Sequence, residues 1–195
     1  ASSVPHSNHI NREAIYMTTQ IIEQKELRVY VGTFGKYNRG SIAGKWLNIK
    51  DYKTVDDFYK ACRQLHSNEY DPEFMFQDWE YIPNSFIGGG WINPKLFELI
   101  HHPNMEHIDI NALWDFLNDV DFTNLEAYEI IEKFNECNRG HWDSFREFAY
   151  EEFYSTKICP IGCHCENYMD WDQYEYDLKM DYTYTDERNV FSKNY

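Results

Sequence analysis

The hydrophobic pattern of the first part of the chain predicts a small antiparallel sheet with one helix. Apolar and polar residues alternate, as is typical of strands with one buried face, in segments 27–34, 42–49 and 73–82. Residues 54–66 instead have apolar positions at helical spacing, and Thr54 is a suitable N-cap for this helix. Cys62 lies on the apolar face of the helix and is predicted to be a core residue.

The segments that join these elements carry turn residues. Residues 35–41 contain two glycines and an asparagine and are predicted to be a loop. Residues 83–94 contain three consecutive glycines and two prolines, but the Lys-Ser or Lys-Thr pair of a phosphate-binding loop does not follow them. We therefore predict a linker at 83–94 rather than a nucleotide-binding site.

Helices dominate the chain from residue 93 onward, and each predicted helix begins at a capping residue. Three helices are predicted to begin at a single capping residue, namely Asn93 (with Pro94 at the first helical position), Asp109 and Asp170. Two more are predicted to begin at capping boxes, formed by Thr123 with Glu126 and by Ser144 with Glu147. The helix after Asp109 is predicted to span 110–120, and the one after Asp170 to span 171–179. Residues 138–140 are predicted to end the helix that Thr123 begins, and two short strands are predicted after residue 180.

Charge is distributed unevenly along the chain. Residues 1–97 carry 11 acidic and 11 basic side chains, whereas residues 98–195 carry 22 acidic and 7 basic ones, so the net charge of −15 arises entirely after Phe97. The chain is 43% hydrophobic and is expected to fold, which places the acidic excess on the surface of folded elements. This charge disfavours direct binding to nucleic acid and to anionic membranes.

The remaining composition favours a cytoplasmic protein. No apolar run reaches the roughly 18 residues that a membrane-spanning helix needs. The five cysteines are an odd number, which favours a reducing compartment over a disulfide framework. Residues 1–25 are polar and are predicted to be a flexible leader.

Carboxylates follow the polar faces of the predicted helices. Glu132 and Glu136 lie opposite the apolar stripe of their helix, and neighbours at this spacing are about 5–6 Å apart. Duplex DNA presents about one charge per 1.7 Å of its axis, so rigid rows of carboxylates can compete for a DNA-binding groove. Ordinary solvated helix faces are the alternative interpretation. The candidate residues of a DNA-like acidic surface are Asp115, Asp119, Glu126, Glu129, Glu132, Glu136, Asp143, Glu147, Glu151, Glu152, Asp170, Asp172, Glu175, Asp177 and Asp181.

Two other kinds of site remain open. Cys159, Cys163 and Cys165 have a spacing close to that of zinc ligands, which makes a zinc-stabilised acidic adaptor the first alternative. No second cysteine pair accompanies them, and unmetallated loop cysteines are the simpler interpretation. Asp78 and Glu80 lie among aromatic residues of the third predicted strand, a combination that fits a carboxylate-pair glycan hydrolase.

Three blocks of sequence resemble the ArdA-type antirestriction proteins. The first comprises LRVYVGTFGKYNRGSIAGKWLNIKDY, DFYKACRQLH and DPEFMFQDWE, within residues 27–80. The second is HWDSFREFAYEEF at 141–153, and the third is NYMDWDQYEYDLKMDYTY with the later NVF. They occur in the order found in that family and cover most of residues 27–191.

The resemblance implies a non-catalytic, cofactor-free acidic protein of a mobile element, which mimics bent B-form DNA. Such a protein occupies the DNA-binding site of type I restriction–modification enzymes as an elongated homodimer in the cytoplasm of a bacterial host. The expected fold is α+β with three small domains, namely a sheet with one helix at 26–90, a helical domain at 91–139 and an acidic α/β domain at 140–195. Because the first half is neutral, we expect residues after Phe97 to carry most of the mimicry.

Overall fold

The computed structural model describes residues 26–156 and 168–193, which fold into two compact units. The first unit ends at Phe97 and the second begins at Glu98. Both units combine α-helices with small antiparallel sheets, which confirms the predicted α+β class. The predicted leader lies outside the described residues, and the boundaries of three domains stay a prediction.

The first unit contains a three-stranded sheet covered by a helix. Its elements are β1 (Arg28–Thr33), α1 (Phe34–Asn38), β2 (Lys45–Asn48), a 3₁₀ turn (Ile49–Asp51), α2 (Val55–Leu65), β3 (Phe74–Glu80), β4 (Ile87–Gly88), β5 (Trp91–Ile92) and the start of α3 (Lys95–Ile100). The larger sheet is antiparallel in the order β2-β1-β3. Phe58 of α2 is fully buried, with its ring centre 5.7 Å from that of Phe76 and 5.9 Å from that of Phe97. The predicted packing of this helix on the sheet is confirmed, and Cys62 is also fully buried.

Two predicted loops of the first unit contain regular structure. Helix α1 forms within the first loop because the Thr33 hydroxyl accepts a hydrogen bond from the Lys36 amide at 3.1 Å, which caps the helix. The predicted linker contains the β4–β5 hairpin, and the Phe76 amide of β3 donates to the Gly89 carbonyl of this hairpin at 2.8 Å. Strands of two residues are too short to show alternation, so hydrophobic periodicity does not reveal them.

The second unit packs helices against a second three-stranded sheet. Its elements after α3 are a 3₁₀ turn (Pro103–His107), α4 (Ile110–Asp119), α5 (Ala127–Cys137), β6 (Asn138–His141), α6 (Phe145–Ser155), α7 (Trp171–Asp181), β7 (Tyr182–Tyr184) and β8 (Asn189–Ser192). The strands are antiparallel in the order β6-β8-β7. Phe116 of α4 lies 5.7 Å from Phe134 of α5 and 5.3 Å from Phe191 of β8, measured between ring centres. An aromatic core therefore joins these helices to the sheet.

Most of the predicted helix starts are confirmed. The side chains that accept a backbone hydrogen bond at the predicted caps are Thr54, Asp109, Ser144 and Asp170. The predicted start at Thr123 is wrong, because α5 begins at Ala127 and Glu126 is its N-cap. Glu126 forms a capping box with Glu129, whose carboxylate accepts a hydrogen bond from the Glu126 amide at 2.7 Å. Strand β6 also follows α5 directly, where only a helix end was predicted.

Candidate protein-interaction surface

Carboxylates dominate the exposed surface of the second unit. Within the described residues of this unit, fifteen acidic side chains are exposed, against three basic ones, Lys179, Arg188 and Lys193. The exposed acidic residues, called the acidic surface below, are Glu98, Glu106, Asp119, Asp121, Glu126, Glu132, Glu136, Asp143, Glu151, Asp170, Asp172, Asp177, Asp181, Asp186 and Glu187. Ordinary protein surfaces mix both signs of charge, so this imbalance makes the acidic surface the candidate site for binding a partner.

Helix α5 positions its carboxylates through an amphipathic pattern. Ile130 and Phe134 are buried on one side, whereas Glu132 and Glu136 are exposed one turn apart on the other. Glu129 is half-buried, because its carboxylate closes the capping box at the start of the helix. Glu132 and Glu136 are therefore held at helical spacing on an element whose opposite face is fixed by the core.

The two predicted carboxylates of α4 have different environments. Asp115 is half-buried, and its Oδ2 accepts hydrogen bonds from Thr185 Oγ1 at 2.5 Å and Asn189 Nδ2 at 2.8 Å. Asp119, one turn later, is exposed. Asp115 thus anchors α4 to the segment around β8, whereas Asp119 belongs to the acidic surface.

Helix α7 is tied to α6 by an arginine and by aromatic packing. Arg146 of α6 forms ion pairs with Asp172, at 2.5 Å between Nη2 and Oδ1, and with Glu175. The rings of Phe153 and Trp171 lie 5.4 Å apart between their centres at the same helix pair. Because both charge and packing hold the helices together, the exposed carboxylates on α6 and α7 keep a fixed spacing.

The other predicted carboxylates of this region form two groups. Those that are exposed are Asp143, Glu151, Asp170, Asp177 and Asp181. Glu147 and Glu152 are half-buried, and Glu152 Oε1 accepts a hydrogen bond from the Tyr182 hydroxyl at 3.3 Å. Burial, together with the negative charge of Glu152, raises the pKa of Tyr182. Glu152 therefore helps to hold α6 against β7.

Several basic side chains of the second unit contact neutral groups. Arg139 Nη1 donates to the Glu136 carbonyl at 2.7 Å, and Lys193 Nζ donates to the Lys179 carbonyl at 2.6 Å. Lys179 Nζ itself lies 5.3 Å from the centre of the Phe145 ring. These contacts direct part of the positive charge to carbonyls and a ring, whereas Arg146 pairs with Asp172 and Arg188 pairs with Asp143, 3.7 Å apart between Nη1 and Oδ1.

The two carboxylates of the predicted glycosidase pair, Asp78 and Glu80, have different environments in the first unit. Asp78 is exposed, and Glu80 Oε2 accepts a hydrogen bond from Arg28 Nε at 2.6 Å, which raises the pKa of Arg28. A cavity of about 380 Å³ in this unit is lined by Arg28, Trp46 and Tyr52 among others, but by neither Asp78 nor Glu80. Glu80 is therefore the partner of an arginine and does not line this cavity, and the glycan hydrolase stays a hypothesis.

The cysteines within the described residues are core residues. Cys62 and Cys137 are both buried, and burial raises the pKa of the Cys62 thiol to about 12. No group of three potential metal ligands occurs in residues 26–156 and 168–193. Cys159, Cys163 and Cys165 lie outside those ranges, so the predicted zinc site stays a hypothesis.

Helix α7 also exposes two large apolar side chains that the pattern of acidic residues does not reveal. Tyr176 and Met180 are 59% and 58% exposed, respectively, and they lie one helical turn apart. A helical projection of α7 places both residues on the same side as Asp172 and Asp177. Two apolar residues on the polar side of α7 are thus the signal in the sequence from which this exposed apolar pair could have been predicted.

The fold and the acidic surface together indicate a protein that acts by binding another protein. The model of the ArdA family, described as antirestriction protein, matches residues 29–191. The chain therefore belongs to the ArdA family, whose members are inhibitors directed at restriction enzymes rather than enzymes themselves. A comparison with curated proteins found no match. None of the described helices is long and apolar enough to cross a membrane.

Proposed function

We propose that this protein mimics B-form DNA and occupies the DNA-binding site of type I restriction–modification enzymes. The observation that carries the proposal is the exposed charge of the second unit, with fifteen acidic and three basic side chains in its described residues. An enzyme that binds DNA presents lysine and arginine side chains to the phosphates, and the acidic surface is complementary to such a groove. Occupation of the groove excludes DNA without any chemical step.

The way the acidic residues are held supports the proposal. Glu132 and Glu136 lie on a helix with a capping box at its start and a buried opposite face. Asp172 lies on a helix that Arg146 ties to its neighbour. A disordered acidic segment has to be ordered on binding, whereas carboxylates on packed helices avoid most of that entropy cost. Pre-organised charge is what a competitor of a stiff DNA duplex needs.

We expect the inhibitor to act as a homodimer in the cytoplasm of a bacterial host, where restriction enzymes meet DNA. The expected contact is the methyltransferase core of the type I enzyme, because this part holds the DNA-binding groove. A dimer presents the acidic surface twice, and two linked surfaces bind a long groove more tightly than one. The mechanism requires no cofactor, since exclusion of DNA is its only step.

A competition experiment tests the proposal. A type I methyltransferase is saturated with a fluorescent duplex that contains its recognition site, and the full chain is titrated in at several salt concentrations. We expect the duplex to be displaced, and the affinity of the inhibitor to fall linearly with salt on logarithmic axes, because counterions are released from the charged groove.

Two controls complete this experiment. The chain alone is not expected to shift the mobility of the labelled duplex, since it is acidic. Displacement that results from direct binding to DNA is thereby separated from displacement at the enzyme. If the duplex stays bound at low salt with a large excess of the chain, the proposal is wrong.

A further inference from the structure

The outward side of α7 carries an apolar pair within the acidic surface. Trp171, Tyr174 and Leu178 are partly buried on the side that faces the rest of the unit. Tyr176 and Met180 are more than half exposed and lie at i and i+4, so their side chains are neighbours on the opposite side. The helix thus has an apolar stripe on each side, and the core of the unit uses one of them.

The exposed ring has no partner among the described residues. Within residues 26–156 and 168–193, the Tyr176 hydroxyl forms no hydrogen bond and its ring contacts no other aromatic ring. The charged residues next to the pair on the helix are Asp172, one turn before Tyr176, Asp177, which follows it directly, Asp181, which follows Met180, and Lys179. The Lys179 ammonium lies against the Phe145 ring of α6, so the charges that face outward beside the pair are mainly negative. An exposed tyrosine within a rim of charge is typical of the central residues of protein interfaces.

The surrounding charge determines which partner fits. A second copy that docked through the same patch would bring two strongly acidic units together, which is unfavourable. An arginine side chain fits instead, because its guanidinium stacks on an aromatic face and pairs with a carboxylate in the same plane. Methionine adapts its shape to the alkyl stem of such a side chain.

We propose that Tyr176 and Met180 form a docking patch for an arginine side chain of the protein partner, with Asp172 and Asp177 as its charged rim. This inference rests on the proposed function, since the partner is the enzyme whose DNA-binding groove the acidic surface occupies. Long-range attraction between charges steers the encounter but defines position poorly. Contacts of the ring act only at short range, so the patch fixes the position of the acidic surface in the groove and adds affinity that salt does not screen.

The test compares the affinity of variants for the methyltransferase as a function of salt. The variant Tyr176→Ser with Met180→Ser is expected to bind about tenfold more weakly, with an unchanged slope of log affinity against log salt, because it loses ring contacts but no charge. Asp177→Asn with Asp181→Asn removes exposed charge without breaking the ion pair between Arg146 and Asp172, and it is expected to lower the slope instead. Tyr176→Phe keeps the ring and is expected to bind like the wild type. Tyr70→Ser, which removes a fully exposed tyrosine of the first unit, is the matched control and is expected to have no effect.

Each other result contradicts the inference in a distinguishable way. If the wild type displaces DNA and the Ser variant, with an unchanged melting temperature, does so equally well, the docking patch is wrong but the proposed function stands. If the wild type does not displace DNA, the proposed function fails first. If the Ser variant changes the oligomeric state measured by light scattering, a second copy covers the patch and the arginine assignment is wrong.

Discussion

The two compact units share a fold class but differ in surface charge. Within the described residues, the first unit exposes six acidic and six basic side chains, whereas the second exposes fifteen and three. Both units are built from α-helices and small antiparallel sheets. The charge of a surface therefore varies independently of the architecture beneath it, and on the proposed function the two units differ because the second one contacts a cationic groove.

The units also differ in how they use charged side chains. In the first unit, Glu69 lies 3.4 Å from Lys36 and 3.8 Å from Arg39, and Glu80 lies 2.6 Å from Arg28, between the charged atoms. In the second unit, Arg146 and Arg188 also form ion pairs, while Arg139, Lys179 and Lys193 contact backbone carbonyls or a ring. With only three exposed cations among its described residues, the second surface keeps an excess of negative charge, whereas the exposed charges of the first unit balance.

The largest effect is expected when charge is removed from one unit only. The six substitutions in the second unit are Asp119→Asn, Glu132→Gln, Glu136→Gln, Glu151→Gln, Asp177→Asn and Asp181→Asn, all at exposed positions. We expect the affinity for the type I methyltransferase to fall on the order of a thousandfold, because a less charged inhibitor releases fewer counterions from the groove when it binds. The measurement is displacement of the labelled duplex at low salt.

The first unit provides a control with the same number of substitutions. Its six exposed acidic side chains are replaced by Glu26→Gln, Asp51→Asn, Asp56→Asn, Asp71→Asn, Glu73→Gln and Asp78→Asn. We expect binding within about threefold of the wild type, since surface substitutions outside an interface have small effects. Glu132→Gln alone should also change binding by less than about threefold, because many charges share the interaction. Equal losses from both sets of six would remove the functional distinction between the units.

A smaller effect, on stability, is expected to distinguish a carboxylate that is hydrogen-bonded within the second unit from one that is exposed. Asp115→Ala leaves the Thr185 hydroxyl and the Asn189 amide without their acceptor, and we expect the free energy of unfolding to fall by about 1–3 kcal/mol. Asp119→Ala on the same helix should change it by less than about 0.5 kcal/mol. Asp119 is exposed at the C-terminal end of α4, where negative charge is unfavourable. Urea denaturation measures both, and equal values would mean that the Asp115 hydrogen bonds do not stabilise the fold.

The sequence predicts features that depend on neighbouring residues. Asp109 and Asp170 cap the predicted helices because the bonded amides lie two or three residues away. The wrong start at Thr123 arises because two capping boxes overlap at Glu126, and the second one forms. The local rule favours Thr123, because Ser or Thr is the usual N-cap of a capping box and glutamate is not, so the local pattern alone predicts the wrong start.

Features that depend on residues far apart in the chain cannot be predicted from a single sequence. Asp115 lies on the polar side of its helix in projection, but its partners follow 70 and 74 residues later in the chain. The imbalance of charge, by contrast, is a property of composition, and the point where it begins coincides with the division of the units after Phe97. The charge of the candidate surface was therefore predictable, whereas the roles of individual carboxylates within it required the fold.

The smallest effect in this comparison is expected from acidification, which destabilises the first unit through a buried histidine. His66 of the first unit is buried, with Nδ1 2.7 Å from Lys36 Nζ and Nε2 3.2 Å from the Val31 carbonyl. The neutral ring therefore accepts from the ammonium and donates to the carbonyl. Burial lowers the pKa of His66 below its ordinary value of 6.5, and the Lys36 charge acts in the same direction.

Stability from His66 is therefore fully present above pH 6.5 and is lost as the pH falls through the lower folded-state pKa. Amide hydrogen exchange should show protection of β1 falling relative to β8 as the pH is lowered from neutral. His66→Gln keeps a donor and an acceptor without titrating in this range, so it should remove the loss at β1. A wild-type β1 whose protection is independent of pH, or a Gln variant with an unchanged profile, would show that the contact between His66 and Lys36 has no such role.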